Sequence, residues 1–341
     1  MRIFIHWDDK DDEDLSRLVT ACTWSGSRIQ VPRQLSFTIT QDDRDKLVPV
    51  VKIENGYTIH GYNDEDMENP VFVGNVYKVV RNRQRSSVSV LAKDHLFVMT
   101  RSQMTREFNS LLPEDIAQAM CKTFGVIPGT FAQTGIPVTF IANNKTGYQV
   151  IMAAYNEAAK KNEKKYQPIM NGAKLDVIEK GALIEGFVAD ASKNMTESEY
   201  SESIEKLIDQ VMVVDEKGNL IEYIKNDEHI ANYSTFQAVY KSDPNKDTQT
   251  EAKKLLTKPD RTGTITVLGD YRVKSSYSIE IKDSLFDGKF WVKSDTHTFT
   301  DGKHEMRLEL EFENIMNEEK AEKKKEKKEK AEKKRRKSEG A

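Results

Sequence analysis

Six histidines, two cysteines and a dense population of acids are the raw material for chemistry in this 341-residue chain. The most suggestive spacing is Ser294-Asp295-Thr296-His297, with His304 seven residues further on. Strand alternation would place Asp295 and His297 on one face, and a turn at Asp301-Gly302 would carry His304 across a hairpin. Such a trio could hold a metal through two imidazoles, or use His297 as a base oriented by Asp295. A histidine on a strand beside Thr and Phe299 is more commonly a structural residue with satisfied nitrogens. The acidic run Asp8-Asp9-Lys10-Asp11-Asp12-Glu13-Asp14 would attract a hard cation, but it lacks the central Gly and distal Glu of a calcium loop. It reads as a mobile acidic N-terminus. Glu205/Asp209 and Glu114/Asp115 read as ordinary solvated carboxylates. Trp24, Trp291 and Tyr277 could form a sugar platform, although large aromatics in strands more often serve a core or an interface. A dinucleotide fingerprint, a P-loop, an HExxH motif, a nucleophile elbow and cysteines at zinc spacing are all missing from the sequence. No catalytic, cofactor or metal residue is assigned, and the balance favours a scaffold or assembly protein over an enzyme.

The bulk properties bound the fold that must position these groups. A chain of this length suggests about two compact units. With 38% hydrophobic and 31% charged residues it is wetter than average, yet able to bury a core. No apolar run approaches the ~18 residues of a membrane-spanning helix. The start, Met1 to Trp7, runs into acids where a leader's cleavage site would lie. Cys22 and Cys121, far apart, exclude a disulfide framework and fit a reducing compartment. The net charge of −3 is uneven: residues 317–341 hold 12 Lys+Arg against 7 Asp+Glu, which leaves −8 on the body. An acidic body repels polyanions, so specific nucleic-acid binding is not expected.

Periodicity supplies the elements. Leu35, Phe37 and Ile39 alternate with Ser36, Thr38 and Thr40, and Ser87 to Val90 alternates again. Asn55-Gly56 between Val50–Ile53 and Tyr57–Ile59 predicts a hairpin. Then the period changes: Pro113, Glu114 and Asp115 open a helix that Gly125 stops. A second helix starts near Asn144–Thr146 and ends at about Lys161, with Val150, Ile151, Ala154, Tyr155 and Ala158 as its apolar stripe. Asn171-Gly172 and Glu216–Asn219 predict two further hairpins. Ala191 to Ser203 reads as a polar loop with a short helical turn, and Thr248 to Leu256 as a helix. Met306, Leu308, Leu310 and Phe312 alternate with charges in the cleanest strand. Val71–Asp94 echoes Lys289–Glu313 in pattern, a hint of two similar barrels. The tail, Asn317 to Ala341, carries Glu319/Lys323, Glu326/Lys330, Glu329/Lys333 and Glu332/Arg336 pairs and reads as a solvated extension.

The ordered set of segments resembles the XkdQ-type baseplate hub proteins of PBSX-like prophages, relatives of the hubs of contractile-tailed phages and phage-tail-like bacteriocins. The residues that carry the resemblance are Thr23–Gly26 leading to Arg33–Phe37, Val71–Val76, Ala92–Leu96, and Glu114–Ala117 leading to Phe124–Pro128. Gly288–Phe299 and Gly302–Leu310 are the most telling. The resemblance covers about residues 15 to 316. It implies an α+β, mainly β chain: two small tail-tube-like β barrels with an inserted helical segment and hairpins, plus a charged C-terminal helix or disordered tail. The divisions are 1–105 for the first barrel, 106–165 for the helices, 166–258 for a hairpin-rich middle, 259–316 for the second barrel and 317–341 for the tail. It implies no enzymatic activity and no cofactor. The implied role is a homotrimeric ring in the virion tail baseplate, assembled in the bacterial host cytoplasm, that adapts a hexameric tail tube to a trimeric central spike. The tape measure protein and other baseplate proteins would be further partners. Two departures stand out. Ser275-Ser276 precedes Tyr277 where a Pro-Gly turn is expected, and the Lys/Glu tail is not part of the pattern. A cell-wall hydrolase or metal-dependent enzyme using Asp295/His297/His304, and a module whose basic tail contacts nucleic acid, are the rival readings.

Overall fold

Most of the chain alternates along strands, and the computed structural model turns that alternation into one long curled sheet. It describes residues 1–7, 12–42 and 49–319. The acids Asp8–Asp11 and the tail pairs beyond Glu319 lie outside the described residues. The chain forms two compact units, Met1–Ser198 with the chain from Thr264 onward, and Glu199–Gly263.

The largest sheet has the order Met195–Ser203, Asp260–Leu268, Lys303–Glu311, Asp287–Thr300, Val19–Ser27, Gln34–Thr40, Ser87–Asp94, Asp66–Asn82, Thr58–Asn63, Arg2–His6, Glu13–Asp14. Two buried cores line it. Ile3, Ile5, Trp24, Leu35, Phe37, Ile39, Val88 and Val90 belong to the first. Ile265, Val267, Ile279, Ile281, Val292, Met306, Leu308 and Leu310 belong to the second. The alternating residues of the sequence are therefore the core, as strand geometry requires. The two halves share a single strand. Asp287–Thr300 spends its first residues on Ser278–Lys282. Ser294–Phe299 then pair with Ser27–Cys22 of the N-terminal half. The mainly β fold is as expected, with the added feature that its two β modules are hydrogen-bonded into one sheet.

A third core is helical. Pro113–Phe124 ends on Gly125, whose φ of 68° suits glycine. Gly147–Asn162 starts with a capping box: Thr146 Oγ1 accepts from Gln149 N at 3.2 Å, and Gln149 Oε1 accepts from Thr146 N at 3.0 Å. Ile116, Met120, Val150, Ile151, Ala154 and Tyr155 pack there with Tyr166, Met170, Leu175 and Val177 of the Tyr166–Asn171/Lys174–Glu179 hairpin. The smaller unit is a three-stranded sheet of Leu220–Lys225, Gln210–Val214 and Gln237–Lys241 around Val211, Val213 and Ala252.

Three elements differ from the periodicity reading. Val50–Ile53 is not a strand, although Val51 and Ile53 are buried. The turn at Asn55-Gly56 is present, but Tyr57–Ile59 takes Val76, Asn75 and Gly74 as partners instead, because the longer Asp66–Asn82 strand offers more ladder bonds. Met195–Ser203 is a strand. Its polar composition hid it, since it runs mostly exposed at the sheet's edge. The helix near residue 248 is shorter than expected, Thr248–Lys253.

The Ser275-Ser276 departure has a conformational consequence. Ser276 sits at φ 79°, the left-handed region that glycine adopts freely. It is held there by Ser276 N donating to Val292 O at 2.9 Å and by accepting from Gly181 N at 2.8 Å. Ser276→Gly should stabilise the chain by about 1 kcal/mol, read as a higher denaturant midpoint with unchanged m-value.

Candidate functional site

The shared strand delivers Asp295 and His297 to the junction of the two β cores, and both are fully buried. An isolated carboxylate there would be prohibitively costly. Arg33, which precedes the Gln34–Thr40 strand, supplies the counter-charge. Its Nη1 donates to Asp295 Oδ1 at 2.9 Å and its Nη2 donates to Oδ2, a bidentate pair. Ser275 N donates to the same Oδ1 at 2.6 Å. Burial alone would push the Asp295 carboxyl up, but the Arg33 guanidinium beside it holds it well below the usual carboxylate range.

Local sequence makes this reach possible. Gly26 pairs directly across from Asp295, and a Cβ on Gly26 would overlap the Arg33 guanidinium. The glycine inside an otherwise regular strand is thus a place of close approach. The guanidinium also lies 4.1 Å from the Trp24 ring centroid. Arg33's backbone is clamped by Asp94: Arg33 N donates to Asp94 Oδ2 at 2.9 Å, and Asp94 N donates to Arg33 O at 3.1 Å. Burial raises the Asp94 carboxyl to about 7, and lowers the amine of nearby Lys274, also repelled by Arg33, to about 8.

The histidines complete the array without opening it. His297 Nε2 is 3.0 Å from Val273 O, and its Nδ1 is 2.9 Å from His304 Nε2. His304 stacks on Phe299 at 4.3 Å and faces Tyr271 at 4.6 Å. Gly269 leaves room for that ring, since a Cβ there would collide with it. Burial and the neighbouring His297 lower His304 to about 4, so it is neutral near pH 7. Asp295, His297 and His304 are therefore brought together, as spacing suggested, but their polar atoms face one another and the backbone. Among the described residues no group of three His, Cys, Asp or Glu side chains is arranged to hold a metal ion.

A second ionic joint sits nearby. Glu311 accepts from Arg28 Nε at 2.6 Å and from the fully buried Lys180 amine at 3.1 Å. Asn317 binds Arg28 O and the Tyr148 hydroxyl, which extends the joint to the helical core. Sequence reasoning missed Arg28, Arg33, Lys180 and Glu311. The available signals were glycine inside a strand at Gly26 and an acid on the last turn of an apolar strand at Glu311.

Other candidates resolve differently. Glu114 is buried, not solvated: it accepts from Thr134 N, Thr134 Oγ1 and Gly135 N, closing the loop after Phe131. Asp209 is also buried and accepts from Phe236 N at 2.9 Å. Asp115 and Glu205 are exposed. Trp24 is core beneath Arg33, while Trp291 and Tyr277 are only partly exposed. Cys22 and Cys121 are free and buried, with thiols pushed up by burial to about 12 and about 11.

This arrangement joins the two β modules across a buried ionic seam. Residues 22–311 match the YQBQ-like family. The chain belongs to that family. It is 23% identical over 322 residues to the phage-like element PBSX protein XkdQ of Bacillus subtilis strain 168, covering 91% of this chain and 97% of that protein. The fold is similar to that of the prophage MuSo2 43 kDa tail protein from Shewanella oneidensis, at TM-score 0.67 and 13% identity over 91% of this chain and 97% of the other. It is also similar, at TM-score 0.55 and 7% identity over 94% and 78%, to an E. coli type VI secretion component that shows structural similarity to the T4 tail proteins gp27 and gp5. In this chain the ionic joints lie at the seam between the β modules.

Two outcomes follow. Gly26→Ala should displace Arg33 and cost roughly 3 kcal/mol, the scale for breaking a buried pair, measured by chemical unfolding. For pH, the unfolded His304 takes up a proton near 6.5 while the folded one resists to about 4. Its contribution is present above the unfolded value and is lost as pH falls through that window. The stability lead of wild type over His304→Gln should therefore shrink between pH 6.5 and pH 4.

Proposed function

We propose that this chain is a structural baseplate hub protein of a contractile phage tail or phage-tail-like particle. In this reading three copies form a ring that adapts a hexameric tail tube to a trimeric central spike, within the virion tail baseplate assembled in the host cytoplasm. The observation that carries the proposal is the fold itself. It matches a prophage tail protein over nearly the whole of both chains, and its two β modules are hydrogen-bonded into one sheet with buried ion pairs at the seam. In this reading the two β modules of each chain act as near-equivalents, so three copies offer six elements, which is how a threefold ring would meet a sixfold tube. The family membership supports the same reading.

The hub carries no catalytic, cofactor or metal role in this proposal. Its partners are its own copies, the tail tube, the spike, the tape measure protein and other baseplate proteins. In this reading the chain divides into a first β module over 1–105, helices over 106–165, a hairpin-rich middle over 166–258 and a second β module over 259–316.

The test is the mass of the purified chain, alone and mixed with tail-tube or spike protein, by light scattering coupled to gel filtration. Three copies, alone or in the mixture, are expected. A chain that stays monomeric and binds neither partner would overturn the proposal.

A further inference from the structure

The Asp66–Asn82 strand is 17 residues long and joins two oppositely charged hairpin tips. At its start, Asp64, Glu65, Asp66 and Glu68 crowd the turn out of Thr58–Asn63. Asp64 is partly offset by the Met1 amine at 2.9 Å and Arg2 at 3.6 Å, whereas no ion pair to a described residue engages Glu65 or Glu68. At its far end, Lys78, Arg81, Arg83 and Arg85 are all exposed around the turn into Ser87–Asp94. Arg81 Nη2 donates to Ile53 O. Asp42, which accepts from Ser86 Oγ at 2.6 Å, is an acid at this tip. At ~3.3 Å per residue, roughly 40 Å of extended strand separates Glu68 from Arg81.

Each tip also carries apolar side chains that the fold leaves in water. Met67 is 44% exposed at the acidic end, and Tyr77 and Val80 are 38% and 48% exposed at the basic end. Arginine beside Tyr and Val is the composition of a protein-binding patch, with charge around an apolar centre. A phosphate backbone would not call for those apolar groups, and the body's net −8 repels it. Two tips of opposite sign on one rigid strand cannot meet within one chain. They can meet between copies.

We propose that the acidic tip at Asp64–Glu68 of one copy docks on the basic tip at Lys78–Arg85 of the next. This deepens the hub reading and rests on it. The contact is heterologous, so each copy offers one tip of each sign, and a closed ring leaves none unpaired. Charge complementarity of this kind sets register and direction more than raw affinity.

The experiment uses the full-length chain with three variants: Arg83→Glu/Arg85→Glu, Glu65→Lys/Glu68→Lys, and all four changes together. All four side chains are exposed, and matching thermal melts check that each variant folds. Sedimentation velocity at low and high salt reads assembly, alone and with tail-tube protein. Each two-site reversal should weaken self-association at least about tenfold, since like charges then face each other. The four-site variant, with both signs exchanged, should recover it, and high salt should weaken the wild type. A trimer that persists in both two-site variants overturns this interface while leaving the hub reading intact. A wild-type chain that never associates overturns the hub reading and this one together. Binding of a labelled single-stranded oligonucleotide that Arg83→Glu/Arg85→Glu abolishes, with oligomeric state unchanged, would assign the basic tip to a polyanion and overturn the proposal.

Discussion

The Arg33–Asp295 pair is the constraint on which the rest of the larger unit depends. It lies between two hydrophobic cores whose strands pair there, Ser294–Phe299 with Cys22–Ser27. Either charge alone in that position would be strongly destabilising, and only mutual, bidentate satisfaction makes the seam tolerable. The consequence is specificity. A slipped register between Ser294–Phe299 and Cys22–Ser27 would move Gly26 away from Asp295 and close the space the guanidinium occupies. The pair therefore fixes how one β module continues into the other.

Several unusual choices in the chain become intelligible from that seam. Trp24 is a platform for Arg33, Asp94 clamps the Arg33 backbone, and Ser275 N satisfies a carboxylate oxygen. His297 and His304 extend the polar array and then end it against Tyr271 and Phe299. The Glu311 joint does the same on the side of the helical core, through Arg28, Lys180 and Asn317. Asp295 and His297, two of the three residues whose spacing suggested chemistry, are buried at the junction and hydrogen-bonded within it.

Much of the fold was legible because it rests on local patterns. The alternation of Leu35, Phe37 and Ile39, and of Met306, Leu308 and Leu310, directly named core residues. The Thr146 start, the Gly125 stop and the turns at Asn171-Gly172 and Gly218 were likewise visible as capping and turn chemistry. What escaped was long-range. Nothing in the spacing shows that Arg33 meets Asp295 across 262 positions, or that Lys180 meets Glu311 across 131. Met195–Ser203 escaped because an exposed edge strand buries too little to imprint a period. The Asp295/His297/His304 grouping was readable as a spacing, but the burial of Asp295 and His297 and the ring contacts of His304 depend on Val273, Tyr271 and Trp24, which arrive from elsewhere in the chain.

The most direct measurement is a double-mutant cycle on Arg33→Met and Asp295→Leu, with unfolding free energies for wild type, both single variants and the pair. Each single change should cost roughly 3–5 kcal/mol, because it strands a buried charge, while the double variant should recover a large part of the summed loss. Single changes that each cost under about 0.5 kcal/mol and add without coupling would contradict the account, because the seam would then not depend on this pair.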